Sequence, residues 1–361
     1  MTGQIFPAVV AVLFGAVVGL LLFVPIVAIS YRRRGRLTLG RLGFWAASLV
    51  YFMALWTYTL LPLPASDDYR CAGAVLSLGP TVDDVVGAFA DGAALTDVRL
   101  LQVVFNVLLF VPLGFLLRVV TRRGVFVALS AGLSLSLLIE LTQLTGVWGL
   151  YPCGYRLFDV GDLTTNTLGA VIGSVAGLLV PTRLRGLGRA ADAGAPRPVT
   201  RGRRLLAAVC DLLGATIVGG AAGTVVQLFL QFALRREDLV ADAAIADIAA
   251  GWTPILLWST VVLATGRTIG DLAVELRYEG GRQPEWVARL LRFVGGIGGY
   301  LLLGLSFGDG GALAGLFALV SFVLVFTTRS GRGLPGLVTG RQLIDARARV
   351  SPGDVTHAED H

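Results

Sequence analysis

Lysine is absent from this 361-residue chain, so its 30 basic residues are all arginine. That absence reads as a compositional bias and not as a functional device. Histidine is nearly absent as well: His357 and His361 both sit in the C-terminal tail, which excludes a nucleophile–histidine pair in the body of the chain. Three cysteines with no CxxC spacing, and no HExxH, leave no ligand set for zinc. Neither a metal nor a cofactor is expected. Charge is scarce too. Only 15% of residues are charged against 55% hydrophobic, and mean hydropathy is +0.75, far outside the range of soluble domains.

The chain instead holds repeated apolar runs of roughly 18 to 22 residues, each long enough to cross a hydrocarbon core about 30 Å thick. A pI near 9.6 would suit a nucleic-acid partner, but the arginines lie in short clusters between the apolar runs, where they act as topology signals. No nucleic-acid partner is expected. The class that follows is an all-α polytopic membrane bundle with about nine spans, N-terminus outside and C-terminus cytoplasmic. The expected spans are 5–29, 42–61, 101–120, 125–145, 162–180, 205–234, 252–265, 293–307 and 312–326. Positive charge follows the first span (Arg32, Arg33, Arg34, Arg36, Arg41) and does not precede it, so a retained N-out span is expected and not a cleaved signal peptide.

An acidic loop (62–100, with Asp67, Asp68, Asp83, Asp84, Asp91 and Asp97) and an aromatic loop (146–158) are expected outside. The arginine-rich stretch 181–203 reads as a cytoplasmic linker and domain boundary. It separates five spans in 1–180 from four in 204–345, with a cytoplasmic tail at 346–361. In the polar excursion 266–292, Leu272, Val274 and Leu276 alternate ahead of Gly280-Gly281, which suggests a short surface strand. Gly308-Asp309-Gly310-Gly311 reads as the turn between the last two spans.

Polar residues converge at one depth in the first half. Asn106 lies early in span three, Glu140 and Gln143 share a face late in span four, and Asp159, Asp162 and Asn166 share a face at the start of span five. That last face continues through Gly169, Gly173 and Gly177, small residues that let another helix approach closely. An ionisable group at membrane depth is costly, which makes Glu140 a functional candidate. Bland readings stand beside this one. Asp159 and Asp162 could cap the helix start, Glu140 could pair with Arg156, and the two asparagines could be interhelical glue.

Three blocks carry a resemblance: Asn106-Val-Leu-Leu-Phe-Val-Pro112-Leu-Gly114, Ile139-Glu140-Leu-Thr-Gln143, and Arg156-Leu-Phe-Asp159-Val-Gly-Asp162-Leu-Thr-Thr-Asn166-Thr-Leu-Gly169. Together, over 42–180, they resemble the VanZ-like membrane family. The resemblance implies a small multi-span module whose founding members are linked to low-level resistance to teicoplanin, a lipoglycopeptide. Further on, Arg204 and Asp211, with Gly266-Arg267-Thr268-Ile269-Gly270-Asp271 and Gly333-Leu334-Pro335-Gly336, resemble an RDD domain over 201–345. That family is named for one arginine and two aspartates. Arg204 and Asp211 fit the first two, and the second aspartate, expected near Pro335-Gly336, is missing there. Asp211 could instead be a buried partner of Arg204 or of an arginine in 266–292.

Three functions compete. The first is a binding or protective module at the cell membrane, whose acidic site (Asn106, Glu140, Gln143, Arg156, Asp159, Asp162, Asn166) engages a membrane lipid headgroup or an amphiphilic antibiotic. The second is a proton- or cation-coupled secondary transporter, though neither an inverted repeat nor a broken-helix pair is expected from the sequence. The third is an intramembrane enzyme using a carboxylate as acid or base on a lipid-linked substrate. Cys71 and Cys153 both fall in loops placed outside, where a disulfide persists, and are expected to pair. Cys210, inside a span, is expected to be a buried apolar residue. Thiol labelling of the untreated protein should leave Cys71 unmodified until reductant is added; labelling beforehand would rule the pairing out.

Overall fold

The computed structural model describes residues 2–64, 69–92, 94–182, 185–186, 188–305 and 310–348. Asp67, Asp68, Arg183, the Gly308-Asp309 half of the expected turn and the tail histidines lie outside the described residues. The apolar runs, two of them even across an internal proline (Pro112 and Pro254), become helices. These are α1 (Thr2–Arg34), α2 (Leu39–Leu60), α3 (Gly79–Ala90), α4 (Val98–Thr121), α5 (Val125–Leu144), a single turn α6 (Gly146–Gly149), α7 (Val160–Ala176) and α8 (Arg201–Leu228). A π-helical turn, Phe229–Ala233, extends α8. There follow α9 (Glu237–Asp242), α10 (Ala244–Thr265), α11 (Ile269–Ala273), α12 (Glu285–Val294), α13 (Ile297–Gly304), α14 (Gly310–Thr327) and α15 (Gly333–Thr339).

Among the described residues, six helices are long and apolar enough to cross a membrane: α1, α2, α4, α5, α8 with its π turn, and α10. The pair α12 and α13, bent by 50° at Gly295-Gly296, makes a seventh if counted as one span, and corrects the expectation that no broken-helix pair would occur: two adjacent glycines interrupt the apolar run. The count of nine is therefore not reached by length and composition. The fifth expected span is α7, only 17 residues long with Asp162, Thr164, Thr165, Asn166 and Thr167 in its first half. The ninth is α14, whose apolar stretch Gly311–Thr327 is also short. The seventh starts eight residues earlier than expected, because the run ahead of Trp252 is helical despite Asp247.

The chain divides into two compact units: 1–19 with 40–188, and 20–39 with 189–361. Helix α1 therefore contributes its first half to one unit and its second half to the other.

In the first unit, α4 and α7 pack backbone against backbone. A Cβ at Gly169 would strike the Val107 carbonyl, one at Gly173 the Val111 carbonyl, and one at Gly114 of α4 the Ala170 carbonyl. Side chains are missing on both helices where the two cross, which is the condition for such an approach. Phe110, Leu113, Ile139, Ala170 and Leu55 form the core around this contact. Two short strands, β1 (Ala74–Val75) and β2 (Phe158–Asp159), pair in parallel beside it.

In the second unit, α8, α11 and the C-terminal half of α1 enclose a core of Val27, Tyr31, Ala207, Cys210, Val274 and Leu276. Cys210 is fully buried, as expected of it. The expected strand is β3 (Leu276–Glu279), antiparallel to β4 (Gln342–Asp345). It begins later than the alternation suggested, because Ile269–Ala273 is a helical turn closed by a Thr268–Asp271 capping box. Leu276 and Tyr278 are buried while Arg277 and Glu279 are partly exposed, so the strand lies at the surface with one face on the core. The stretch expected as a linker is tied down over 189–200: Ala193 is buried, the Ala190 N–H donates to the Arg33 carbonyl, and Thr200 caps α8.

Replacing Gly173 by leucine should cost about 1–3 kcal/mol or more through overpacking and lower the melting temperature of the detergent-solubilised protein. Gly43→Leu, on α2 with nothing within 4 Å of its Cβ position, should leave it nearly unchanged.

Candidate functional site

The chain enters α7 through Asp159, whose extended backbone leaves its side chain to cap the helix: Oδ1 accepts from the Gly161 N–H at 2.7 Å. Asp162, one turn later, does not cap. Its Oδ1 accepts from Asn106 Nδ2 on α4 at 2.5 Å. Asn166, a further turn on, donates from Nδ2 to Ser136 Oγ on α5 at 2.9 Å, and its Oδ1 is buried without a partner. Glu140, also on α5, is 3% exposed, and its Oε2 accepts from the Asp159 N–H at 3.1 Å. Helices α4 and α5 are thus both tied to the start of α7, through Asn106–Asp162 and Glu140–Asp159.

Gln143 and Arg156 turn the other way, to the end of α2. Gln143 donates to the Thr59 carbonyl at 2.6 Å, and Arg156 donates to the carbonyls of Thr59 at 3.2 Å and Leu61 at 2.9 Å. The Tyr155 hydroxyl donates to the Leu60 carbonyl at 3.0 Å. These donors satisfy carbonyls that a helix end leaves without intrahelical partners. Arg156 therefore serves the α2 terminus, and Glu140 takes its hydrogen bond from Asp159; the Glu140–Arg156 pair considered above is not how either group is bonded.

Asn106, Glu140, Gln143, Arg156, Asp162 and Asn166 line one cavity of about 1010 Å³, and its other wall is apolar, with Leu101, Phe105 and Leu108. Asp159 is not among the lining residues; it holds Glu140 and the start of α7. Sequence reasoning missed Tyr58, Thr59 and Gln102 in this lining, and Ser136 behind it. Spacing could have found two of them, since Gln102 and Asn106, like Ser136 and Glu140, are four apart on one helix face.

The loops above the cavity are joined covalently. Cys71 and Cys153, 82 positions apart in sequence, form a disulfide with Cα atoms 5.5 Å apart. Closing a loop of that length is worth on the order of 4 kcal/mol in a chain-entropy account. Beside it, the Ala72 N–H donates to the Gly154 carbonyl and the Tyr69 hydroxyl to the Cys153 carbonyl. Val75 then pairs with Asp159 across β1 and β2, so the 69–92 excursion reaches the residue that starts α7.

The second unit holds a separate set of buried charges. Arg204 on α8 pairs at 3.1 Å with Asp271 of α11, and Arg292 of α12 meets the other oxygen of the same carboxylate. Arg204 is thus committed to Asp271 and not to Asp211, whose Oδ1 accepts from Trp258 Nε1 at 2.8 Å and the Gly270 N–H at 2.7 Å. The carboxylate that meets Arg204 is Asp271, not one near Pro335-Gly336. Arg203 pairs with Asp345 at 2.8 Å, as does Arg347 at 2.7 Å. Burial pushes the Asp271 carboxyl up, but Arg292 and Arg204 outweigh it and hold it below the ordinary value of 3.8. For Asp345, burial is likewise outweighed by Arg347 and Arg203.

The VanZ/LLP1 family model matches residues 45–181, the segment that carries α2 to α7 and every residue of the acidic cavity except Pro7. No curated protein and no solved structure matches the chain. The match stops short of α8, so the RDD resemblance rests on residues alone.

Because Asp271 and Asp345 titrate lower in the folded chain, their contribution to stability is present above pH 3.8 and is lost as pH falls below it. Melting temperatures should be flat from neutral to mildly acidic pH and drop below that value. Asp271→Ala should cost about 3–5 kcal/mol by leaving two arginines buried without their carboxylate, readable as a large fall in melting temperature at pH 7.

Proposed function

We propose that the 45–181 segment is a binding module of the cell membrane. Its acidic cavity takes the cationic or hydroxyl-bearing head of an amphiphile, either a membrane lipid or an acylated antibiotic. The acyl chain lies along the neighbouring apolar helices, and the capture protects the cell from glycopeptide and lipoglycopeptide drugs. One observation carries this reading. Two carboxylates, Glu140 and Asp162, and the unpartnered Asn166 carbonyl line the same 1010 Å³ cavity as Leu101, Phe105 and Leu108.

The hydrogen-bonding capacity there is one-sided. Arg156 is spent on main-chain carbonyls of the α2 end, which leaves acceptors facing the cavity and calls for a ligand that donates. An ammonium or hydroxyl head meets that need, and a charge-assisted bond to a carboxylate is roughly twice as strong as a neutral one. In this reading α7 and α14 also cross, giving nine spans. The arginine clusters keep the N-terminus outside and the C-terminus in the cytoplasm. The acidic cavity then faces the outer leaflet, and the 204–345 segment is an RDD-like module of four spans.

Two carboxylates in one cavity also suit proton- or cation-coupled transport. That reading differs in requiring ion-driven uptake by proteoliposomes, which a binding module does not show.

A strain lacking the gene should become more susceptible to acylated glycopeptides than to a glycopeptide without an acyl chain. Wild type should restore protection, whereas Glu140→Gln and Asp162→Asn should not, at equal expression and unchanged melting temperature. Protection that survives both substitutions would remove the acidic cavity from the function.

A further inference from the structure

The second unit contains a cavity that the acidic-site reading does not use and on which nothing above depends. It has a volume of about 410 Å³ and is bounded by α8, the α12–α13 bend, α14 and the start of α15. Its polar end is built from Arg204, Asp211, Thr268 and Arg292; the remainder is apolar, with Val209, Ile297, Phe317, Phe322 and Val325. Arg292 is 2% exposed, stacks over the Tyr278 ring at 4.3 Å and gives one terminal nitrogen to Asp271. Its Nε and its other terminal nitrogen have no hydrogen-bond partner, and neither does Arg204 Nε. A buried guanidinium edge without an acceptor is costly.

The carboxylates nearby cannot supply that acceptor. Asp271 is fully buried and already holds Arg204, Arg292 and the Thr268 N–H. Asp211 is turned to Trp258 and Gly270. Beside Asp211, whose Oδ1 is taken by Trp258 and Gly270, the groups facing the cavity without a partner are the guanidinium N–H donors, and the Ser321 hydroxyl, also unpartnered, lies on the same wall. Glycine at the bend makes the opening possible: a Cβ at Gly296 would lie 3.1 Å from the unpartnered terminal nitrogen of Arg292.

The cavity continues lengthwise. Leu212, Tyr300 and Ala318 line it and also line a second apolar space of about 510 Å³ between α8, α10, α13 and α14. That space is walled largely by small residues, among them Gly219, Gly251, Gly304 and Gly315. A donor-lined head pocket opening into a long apolar groove is complementary to one kind of molecule. We infer that the second unit binds a single-headed anionic amphiphile, with its carboxylate or phosphodiester oxygens on Arg292 and Arg204 and its acyl chain in the groove past Ala318.

The test uses the full-length protein in a neutral detergent, titrated with oleate, monooleoylglycerol, phosphatidylglycerol and phosphatidylcholine, with bound lipid counted by native mass spectrometry. Oleate should bind at least about tenfold tighter than monooleoylglycerol, and phosphatidylglycerol than phosphatidylcholine, as expected for one charge-assisted bond. The stronger of the two anionic probes identifies the head as carboxylate or phosphodiester. Because Arg292→Ala would also orphan Asp271, the decisive variant is Ala318→Trp, which plugs the groove and leaves the charged cluster alone. It should lower anionic-lipid binding by about tenfold or more at an unchanged melting temperature. Equal binding of the neutral and charged probes, or undiminished binding by a folded Ala318→Trp protein, overturns the inference. Loss of protection by Glu140→Gln would bear on the first unit alone.

Discussion

The close approach of α4 and α7 is the constraint on which the first unit depends. Lipid offers no hydrophobic drive between helices, so contact must come from packing and hydrogen bonding. Gly114, Gly169 and Gly173 supply the packing by letting carbonyls of one helix sit where side chains of the other would be. Once those axes are fixed, Asn106 can only meet Asp162, and Asn166 can only face Ser136. The cavity beside them lies between these polar ends and the end of α2, whose carbonyls Gln143, Tyr155 and Arg156 hold. The disulfide and the β1–β2 pairing act on the same point from above, by fixing the residue that begins α7.

The two units solve the problem of buried polarity differently. In the first, carboxylates are held by neutral donors, namely a backbone N–H and an asparagine amide, while the nearby arginine is occupied with main-chain carbonyls. In the second, carboxylates are shared between arginines, Asp271 by Arg204 and Arg292 and Asp345 by Arg203 and Arg347. A buried ion pair offers little net stability relative to an apolar core, but loss of one partner is severe. The first arrangement leaves acceptors toward its cavity and the second leaves donors toward its own, so the two cavities are opposite in the chemistry they ask for.

Much of this was legible in the residues, for a physical reason. A polar side chain on an otherwise apolar helix stands out, and helical spacing says which of its neighbours share its face; hence Asn106, Glu140, Asp162 and Asn166 could be gathered before any coordinates, and the glycine face of α7 could be assigned. The end of α2 was not legible, because Thr59 and Leu61 act through carbonyl oxygens that every residue possesses. The pairing of Asp271 is not legible, because Thr268-Ile-Gly-Asp reads as an ordinary helix start, which it also is; its second role depends on Arg204, 67 residues away. The count of nine exceeds the six or seven helices that qualify on length and apolarity among the described residues, because α7 and α14 are short.

Helix α1 belongs to both units, and this bears on the order in which the protein is made. Val27 and Tyr31 leave the ribosome ahead of residues 40–188, yet the residues they pack against, Ala207, Cys210, Val274 and Leu276, follow only after that whole stretch of the first unit. At roughly 5–20 residues per second that interval is on the order of ten to forty seconds. During it, half of α1 can settle into the nascent first unit while the other half presents an uncovered apolar and aromatic face. The second unit is therefore finished by its last segments closing on one of its first, and a break in the gene at the arginine-rich stretch would separate a core from its own opening helix.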